Sequence, residues 1–208
     1  MSTALALIAH DLKNALGVLE GELESMIDDP TPIAAQAAYM HCTDLRRHFI
    51  QFLTLYSAES GQLDALCEDE SPAEMLQHML RVWQLKAKSE NLPLHISIKD
   101  EDQAPVFWYF DRRLVQMALD AALHNAMRFA RSRVTVAAYK RDGALVWEVA
   151  DDGPGLDATD PSAPHATGLG TALCEAVARA HHLKERCGHV AVRRDEAAQE
   201  TIFEMLLP

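Results

Sequence analysis

Three short stretches of this sequence carry side chains able to handle a phosphoryl group. The first is Ala9-His10-Asp11-Leu12-Lys13-Asn14. An imidazole with a carboxylate beside it is a plausible nucleophile, because the carboxylate can hold one ring nitrogen and leave the other to attack phosphorus. The second is Asn125-Ala126-Met127-Arg128. Its amide oxygen can ligate Mg²⁺, and its guanidinium, three residues on, can meet a phosphate. The third is Asp151-Asp152-Gly153-Pro154-Gly155, followed by Gly168-Leu169-Gly170-Thr171. A carboxylate beside glycines can accept a hydrogen bond from an amino group on a closely held base. Glycines opening a helix present free N–H groups to an anion. Each stretch alone has a plainer reading: a surface histidine, a solvated helix face, a turn, or a loop that needs positive φ.

The elements that must carry these residues follow from periodicity. Leu5, Ile8, Leu12, Ala15, Leu19 and Met26 recur at steps of three and four, with Glu22 breaking one step. That is a heptad-like helix. With Leu5, Ile8 and Leu12 on the seam, His10 falls outward and Asn14 shares its face. Asp28-Asp29-Pro30-Thr31-Pro32 is a turn, and Ala38, Cys42, Leu45, Phe49, Phe52 and Tyr56 repeat the pattern in a second helix. The pair makes an antiparallel hairpin over residues 1–60. A lone hairpin cannot cover both apolar stripes, so a four-helix bundle of two copies, a homodimer, is expected. His41 and His48 share a face of the second helix.

Ser57 to Asp64 reads as a linker around Gly61, and residues 61–208 form the second domain. Ser71-Pro72-Ala73-Glu74 starts a helix that runs to about Ser89. Leu92–Ile98 and Val106–Phe110 read as strands, the latter buried. Asp111 caps a long helix through Phe129. Val134–Tyr139 and Ala144–Ala150 flank Arg141-Asp142-Gly143, a hairpin signal. A helix from about Gly170 to His182 and strands near Gly188–Arg193 and Thr201–Leu207 complete a mixed sheet covered by helices on one face. The class is α+β. His181-His182 has no companion ligands in sequence and reads as helix-end capping.

Bulk properties narrow the partners. The 208 residues carry a formal charge of −12, which argues against nucleic acid. No apolar run approaches the roughly 20 residues a membrane span needs, and Met1-Ser2-Thr3-Ala4-Leu5 lacks a basic secretory start. A cytoplasmic protein is expected. Cys42, Cys67, Cys174 and Cys187 show no CxxC spacing and read as reduced thiols, mostly core filler.

Taken in order, these motifs resemble the sensor histidine kinase family. The stretch from Ala9 to Asn14 is similar to its phosphoacceptor box. Asn125-x-x-Arg128, Asp151-x-Gly153-x-Gly155 and Gly168-x-Gly170 resemble the N box and two glycine boxes of its ATP-binding domain, the GHKL fold shared with gyrase and MutL. The resemblance spans nearly the whole chain, to the closing strand Ile202–Pro208. It implies His10 as phosphoacceptor, Asp11 as its general base, and Asn14 as the residue that positions water when the protein dephosphorylates its partner. It implies Asn125 on Mg²⁺, Arg128 on phosphate, Asp151 on adenine, Gly153 and Gly155 along the nucleotide, and Gly168 and Gly170 around the phosphates. The reaction implied is autophosphorylation of His10 by ATP, then transfer to an aspartate on a response regulator receiver domain.

Several features depart from the family pattern. Ala15 replaces a frequent proline, which predicts a straighter first helix. Leu156–Thr167 is a short ATP lid, and Ala166 stands where a glycine is frequent. Only nine residues precede His10, so input is expected from a separate sensor protein. Ala121 occupies the place of the catalytic Glu of the hydrolysing relatives, so a free-standing ATPase is not expected. Three alternatives stand beside the kinase. One is a degenerate histidine phosphotransferase or phosphatase with little ATP binding. Another is a non-catalytic module that binds a regulator. The third, a serine kinase of the anti-sigma-factor type, fits poorly because that group lacks the histidine box.

Overall fold

The structure is a computed structural model that describes residues 3–89, 92–155 and 169–208. It divides into two compact units, Met1–Leu63 and Asp64–Pro208.

The first unit is a hairpin of α1 (Thr3–Asp28) and α2 (Pro32–Glu59). Helix α1 continues unbroken through Ala15. Thr31 caps α2 by accepting the Ala34 N–H at 3.1 Å, with Pro32 at the first helical position. Glu22 reaches across to His41 Nδ1 at 2.7 Å. Of the predicted seam, Leu5, Ile8, Leu19 and Ala38 are buried, and Leu12, Met26, Leu45 and Phe52 half-buried. Ala15, Cys42, Phe49 and Tyr56 are exposed, while Gln51 and Leu55 take buried places instead. The reason is geometric: two helices meet along one line, and these stripes are wider than that line. The helix also absorbs Ser57–Glu59, so the irregular connection begins at Ser60, with Gly61 at φ +69.

In the second unit β2 (His95–Ile98), β4 (Arg133–Arg141), β5 (Ala144–Asp151), β9 (Glu200–Leu207) and β8 (His189–Asp195) form one sheet in the order β2-β4-β5-β9-β8. Only β2 and β4 pair in parallel, so the sheet is mixed. Helices α3 (Pro72–Ser89), α4 (Arg112–Phe129) and α5 (Leu169–Ala180) pack on it. Caps set their starts: Ser71 Oγ accepts the Glu74 N–H at 3.4 Å, and Asp111 Oδ1 accepts the Leu114 N–H at 3.0 Å. Central strand β5 is buried on both faces. On one, Trp147 meets Phe110 edge-on at 5.6 Å. On the other, Glu148 and Glu204 lie opposite each other; the Tyr139 hydroxyl lies within hydrogen-bond distance of both, and Arg141 donates two-pronged to Glu204.

Three expectations are corrected here. The run Val106–Phe110 is not a buried strand. Only Trp108–Phe110 (β3) is extended, paired with an unforeseen β1 (Glu68–Glu70), and only Phe110 is fully buried. Val106, Phe107 and Tyr109 are exposed, because a two-stranded ribbon turns just one of its sides to the core. The thiols are core filler only at Cys174; Cys42 and Cys187 are exposed and Cys67 half-buried. A small ribbon of β6 (His182–Leu183) and β7 (Arg186–Cys187) stands where the last helix was expected to finish. Among the described residues no helix is long and apolar enough to cross a membrane.

Candidate functional site

The site residues fall in both units. On α1 the His10 side chain is 61% exposed, on the outward face the heptad predicts. Its Nδ1 lies 3.2 Å from Asn14 Nδ2 and 3.6 Å from Asp11 Oδ1. One nitrogen cannot serve both neighbours. It accepts from the amide N–H only when unprotonated, and it donates to the carboxylate only when protonated. Among the described residues Nε2 has no hydrogen-bond partner. The tautomer facing Asn14 carries its proton on Nε2, whereas the tautomer facing Asp11 leaves the Nε2 lone pair free.

In the second unit, Asn125 and Arg128 are both exposed in the last turn and a half of α4, three residues apart and so on one face. The Arg128 guanidinium lies 5.6 Å from the Phe129 ring centre. Among the described residues no carboxylate cluster stands beside this exposed amide, and one amide is a fitting Mg²⁺ partner because that ion takes most of its ligands from phosphate and water.

Asp151 reaches its place through a turn. Asp142 (φ 51) and Gly143 (φ 73) form the two-residue connection between β4 and β5. The resulting register sets Val134 opposite Asp151, which ends the central strand. The Asp151 carboxyl is buried, and Oδ1 accepts the Gly153 N–H at 2.9 Å. Oδ2 has no partner among the described residues. Burial pushes this carboxyl above its ordinary range, and the Gly153 N–H works against that. Glycine is required at 153: a Cβ there would stand 2.6 Å from both Asp151 Oδ1 and the Phe129 carbonyl oxygen. Gly155 holds φ +108, a conformation that strains other residues. Gly170 lies in the first turn of α5, where a Cβ would make an ordinary 3.8 Å contact with Ala121. Gly168, Ala166 and the lid Leu156–Thr167 lie outside the described residues.

One positioning residue was missed from sequence, and a second, His181, was read only as a helix-end cap. Asp152 Oδ1 accepts the backbone N–H groups of Arg131, Ser132 and Arg133 at 2.8–3.1 Å, and its Oδ2 accepts the Ser132 hydroxyl at 2.6 Å. Burial opposes its charge, but these bonds outweigh it and hold the carboxyl far below the usual range. Asp152 thereby clamps the end of β5 to the start of β4. His181 is buried; its Nδ1–H donates to the Val177 carbonyl at 2.8 Å and its Nε2 accepts the Asp111 N–H at 3.0 Å. The neutral ring thus ties the end of α5 to the start of α4, the helix that presents Asn125 and Arg128. The acidic doublet closing a strand was a readable signal for Asp152. Nothing in sequence paired His181 with Asp111, seventy residues away.

Residues 110–208 match the family described as histidine kinase-, DNA gyrase B-, and HSP90-like ATPase. No curated protein matches the chain. Among solved structures it is similar to the Acinetobacter baumannii histidine kinase AdeS, with a TM-score of 0.73 and 22% identity over 95% of this chain and 96% of that one. It is also similar to ThkA, solved in complex with the response regulator protein TrrA (TM-score 0.66, 15% identity, 98% of this chain and 60% of that one). A third likeness is full-length ShkA in complex with AMPPNP (TM-score 0.63, 17% identity, 99% of this chain and 45% of that one). At these identities the likeness is one of fold.

Proposed function

We propose that this chain, whose residues 110–208 belong to the histidine kinase-type ATPases and whose whole length has the sensor histidine kinase fold, phosphorylates its own His10 from ATP. The phosphoryl group then passes to an aspartate on a response regulator receiver domain. The supporting observation is the His10 ring: exposed, with Nδ1 between a carboxylate and an amide and Nε2 open to an incoming phosphorus.

In the phosphorylating state Nδ1–H donates to Asp11, and the Nε2 lone pair attacks the γ-phosphorus. The bond to the β-phosphate bridging oxygen breaks and ADP leaves, while Asp11 stabilises the positive charge that develops on the ring. Asp151 accepts from the adenine amino group, Gly153 and Gly155 let the base approach, Arg128 meets phosphate, and the N–H groups at the start of α5, including that of Gly170, face the anion. Mg²⁺, held through Asn125, would neutralise phosphate charge. When Asn14 engages the ring instead, Nε2 is protonated and does not attack; Asn14 is then placed to orient water for the reverse task, removal of phosphate from the regulator. Two copies pair through their hairpins. A receiver that docks beside His10 and a separate input protein complete the partner set.

Incubation with γ-labelled ATP tests this reading. Acid-labile label on the wild type that vanishes in His10→Gln is expected, with label moving to a receiver domain on mixing. Label that persists in His10→Gln sinks the assignment. Nucleotide binding without any label would favour the regulator-binding module.

A further inference from the structure

Asp152 holds the loop after Asp151 from the β4 side; Arg194, on β8, holds it from the other. Arg194 Nη1 donates to the Gly153 carbonyl at 2.9 Å and to Thr201 Oγ1 at 3.1 Å, and Nη2 donates to Gln199 Oε1 at 3.2 Å. The same guanidinium lies against Gly155, its Nε 3.7 Å from where a Cβ on that glycine would stand. One rigid planar group therefore joins β8, the start of β9 and the glycine loop.

All these acceptors are neutral. Nearby on the sheet, Arg133 pairs with Glu200 at 2.7 Å, Arg141 with Glu204 at 2.9 Å and Arg193 with Glu204 at 3.6 Å. Among the described residues Arg194 has no carboxylate within ion-pair distance. Its charge acts on Asp151. Burial raises that carboxyl most, the Gly153 N–H lowers it, the charges of Asp152 and Glu200 raise it, and Arg194 is the cation that lowers it.

An ionised carboxylate only accepts hydrogen bonds, whereas a protonated one also donates. Adenine presents an amino donor at its six position and guanine a carbonyl acceptor. We infer that Arg194 is a positioning and specificity-determining residue of the nucleotide site, fixing the Gly153–Gly155 loop and setting a positive field on Asp151 so that this carboxylate takes adenine and rejects guanine. The inference rests on the ATP-site reading above and adds to it the residue that holds Asp151 and its loop in the adenine-accepting form.

The test is a titration of the full chain with Mg-ATP and Mg-GTP between pH 5.5 and 8, for wild type, Arg194→Met, Arg194→Lys and Arg193→Met. Arg194→Met should bind ATP roughly tenfold more weakly, the size of one lost charged hydrogen bond. Its ATP-to-GTP preference should fall most at the acid end, with the acid limb of ATP binding moved to higher pH. Arg194→Lys should keep the limb near its wild-type position but lose affinity, and Arg193→Met should change neither. A loop merely loosened would lose affinity for both nucleotides alike without moving the limb, and that result overturns the specificity claim. Unchanged affinity, preference and limb in Arg194→Met overturn the inference entire. Wild type that binds neither nucleotide sinks the site reading itself, a separate failure. If Arg194→Met does not fold by thermal melting, the lysine variant and Arg194→Gln carry the same comparison.

Discussion

The two units of this chain solve opposite problems. The α/β unit buries what its sequence makes apolar: Phe110, Val115, Leu145, Trp147, Leu173 and Met205 are all essentially inaccessible. The hairpin leaves Leu16, Val18, Leu23, Ile27, Tyr39, Phe49, Ile50 and Leu53 exposed, with Ile27 and Ile33 above 80%. The chemical groups follow the same division. Asp151 is buried and fixed by its neighbours, whereas His10 stands in solvent between two competing partners. In the proposed reaction a base is recognised by a rigid acceptor, while a phosphoacceptor must be reached by two large partners in turn. The α/β unit has a core of its own, and the hairpin has half of one.

That contrast breaks most visibly at Gly188. A Cβ there would stand 2.3 Å from the Ala178 carbonyl oxygen and 2.7 Å from that of Leu206, both backbone atoms that side-chain rotation cannot relieve. Gly188→Ala should destabilise the α/β unit by about 3 kcal/mol or more. In the full chain, followed by near-ultraviolet circular dichroism at Trp83, Trp108 and Trp147, the aromatic signal should melt early while the helical signal of the hairpin persists. Both signals melting together at a lowered temperature would show that the units are not independent, and an aromatic transition left at the wild-type temperature would refute the predicted clash.

The hairpin gives the next largest effect. Leu23 and Phe49 are each about half exposed, so a charge there costs little within one hairpin but much where two hairpins face each other. Leu23→Glu and Phe49→Glu should convert a dimer at micromolar protein into a monomer by light scattering, with the aromatic transition of the α/β unit unmoved. A wild type that is monomeric at those concentrations would remove the homodimer from the proposal.

How far the sequence disclosed these units depends on the range of the forces involved. Capping pairs, the Asp142-Gly143 turn and the long helices rest on contacts within a few residues, and the caps Asp111 and Ser71 were readable for that reason, while Thr31 was read only as part of a turn. The glycine loop was readable by its resemblance, but why Gly153 must be glycine was not, since Phe129 approaches it from another element. Strand β1 was illegible because Glu68-Asp69-Glu70 has neither alternation nor β-branching. The exposed side of Val106–Tyr109 was misread because an apolar run does not state which of its faces meets the core. Arg194 and His181 act over 41 and 70 residues of chain, and no local pattern announces such pairs.

His181 supplies the smallest expected effect and the finest test of how rigid the nucleotide-binding unit is. Its ring is buried and neutral, with both nitrogens used, and burial lowers its proton affinity below the ordinary value of 6.5; the charge of His182 acts the same way, while the Val177 carbonyl and Asp111 oppose it. Above pH 6.5 the ring is neutral whether the chain is folded or not, and the stability it contributes is fully present. Below that value the unfolded chain takes up a proton that the folded ring resists, so stability falls with falling pH. Protonation in place would set an N–H of the ring against the Asp111 N–H and open the joint between α5 and α4. The aromatic melting transition of the full chain should therefore drop between pH 7.5 and 5.5. His181→Phe leaves the Asp111 N–H and the Val177 carbonyl unpaired and should lower stability by about 2 kcal/mol at pH 7.5, with a flatter response to acid below it. Parallel slopes for variant and wild type would mean that the acid response comes from other groups and that the α4–α5 joint does not depend on a neutral imidazole.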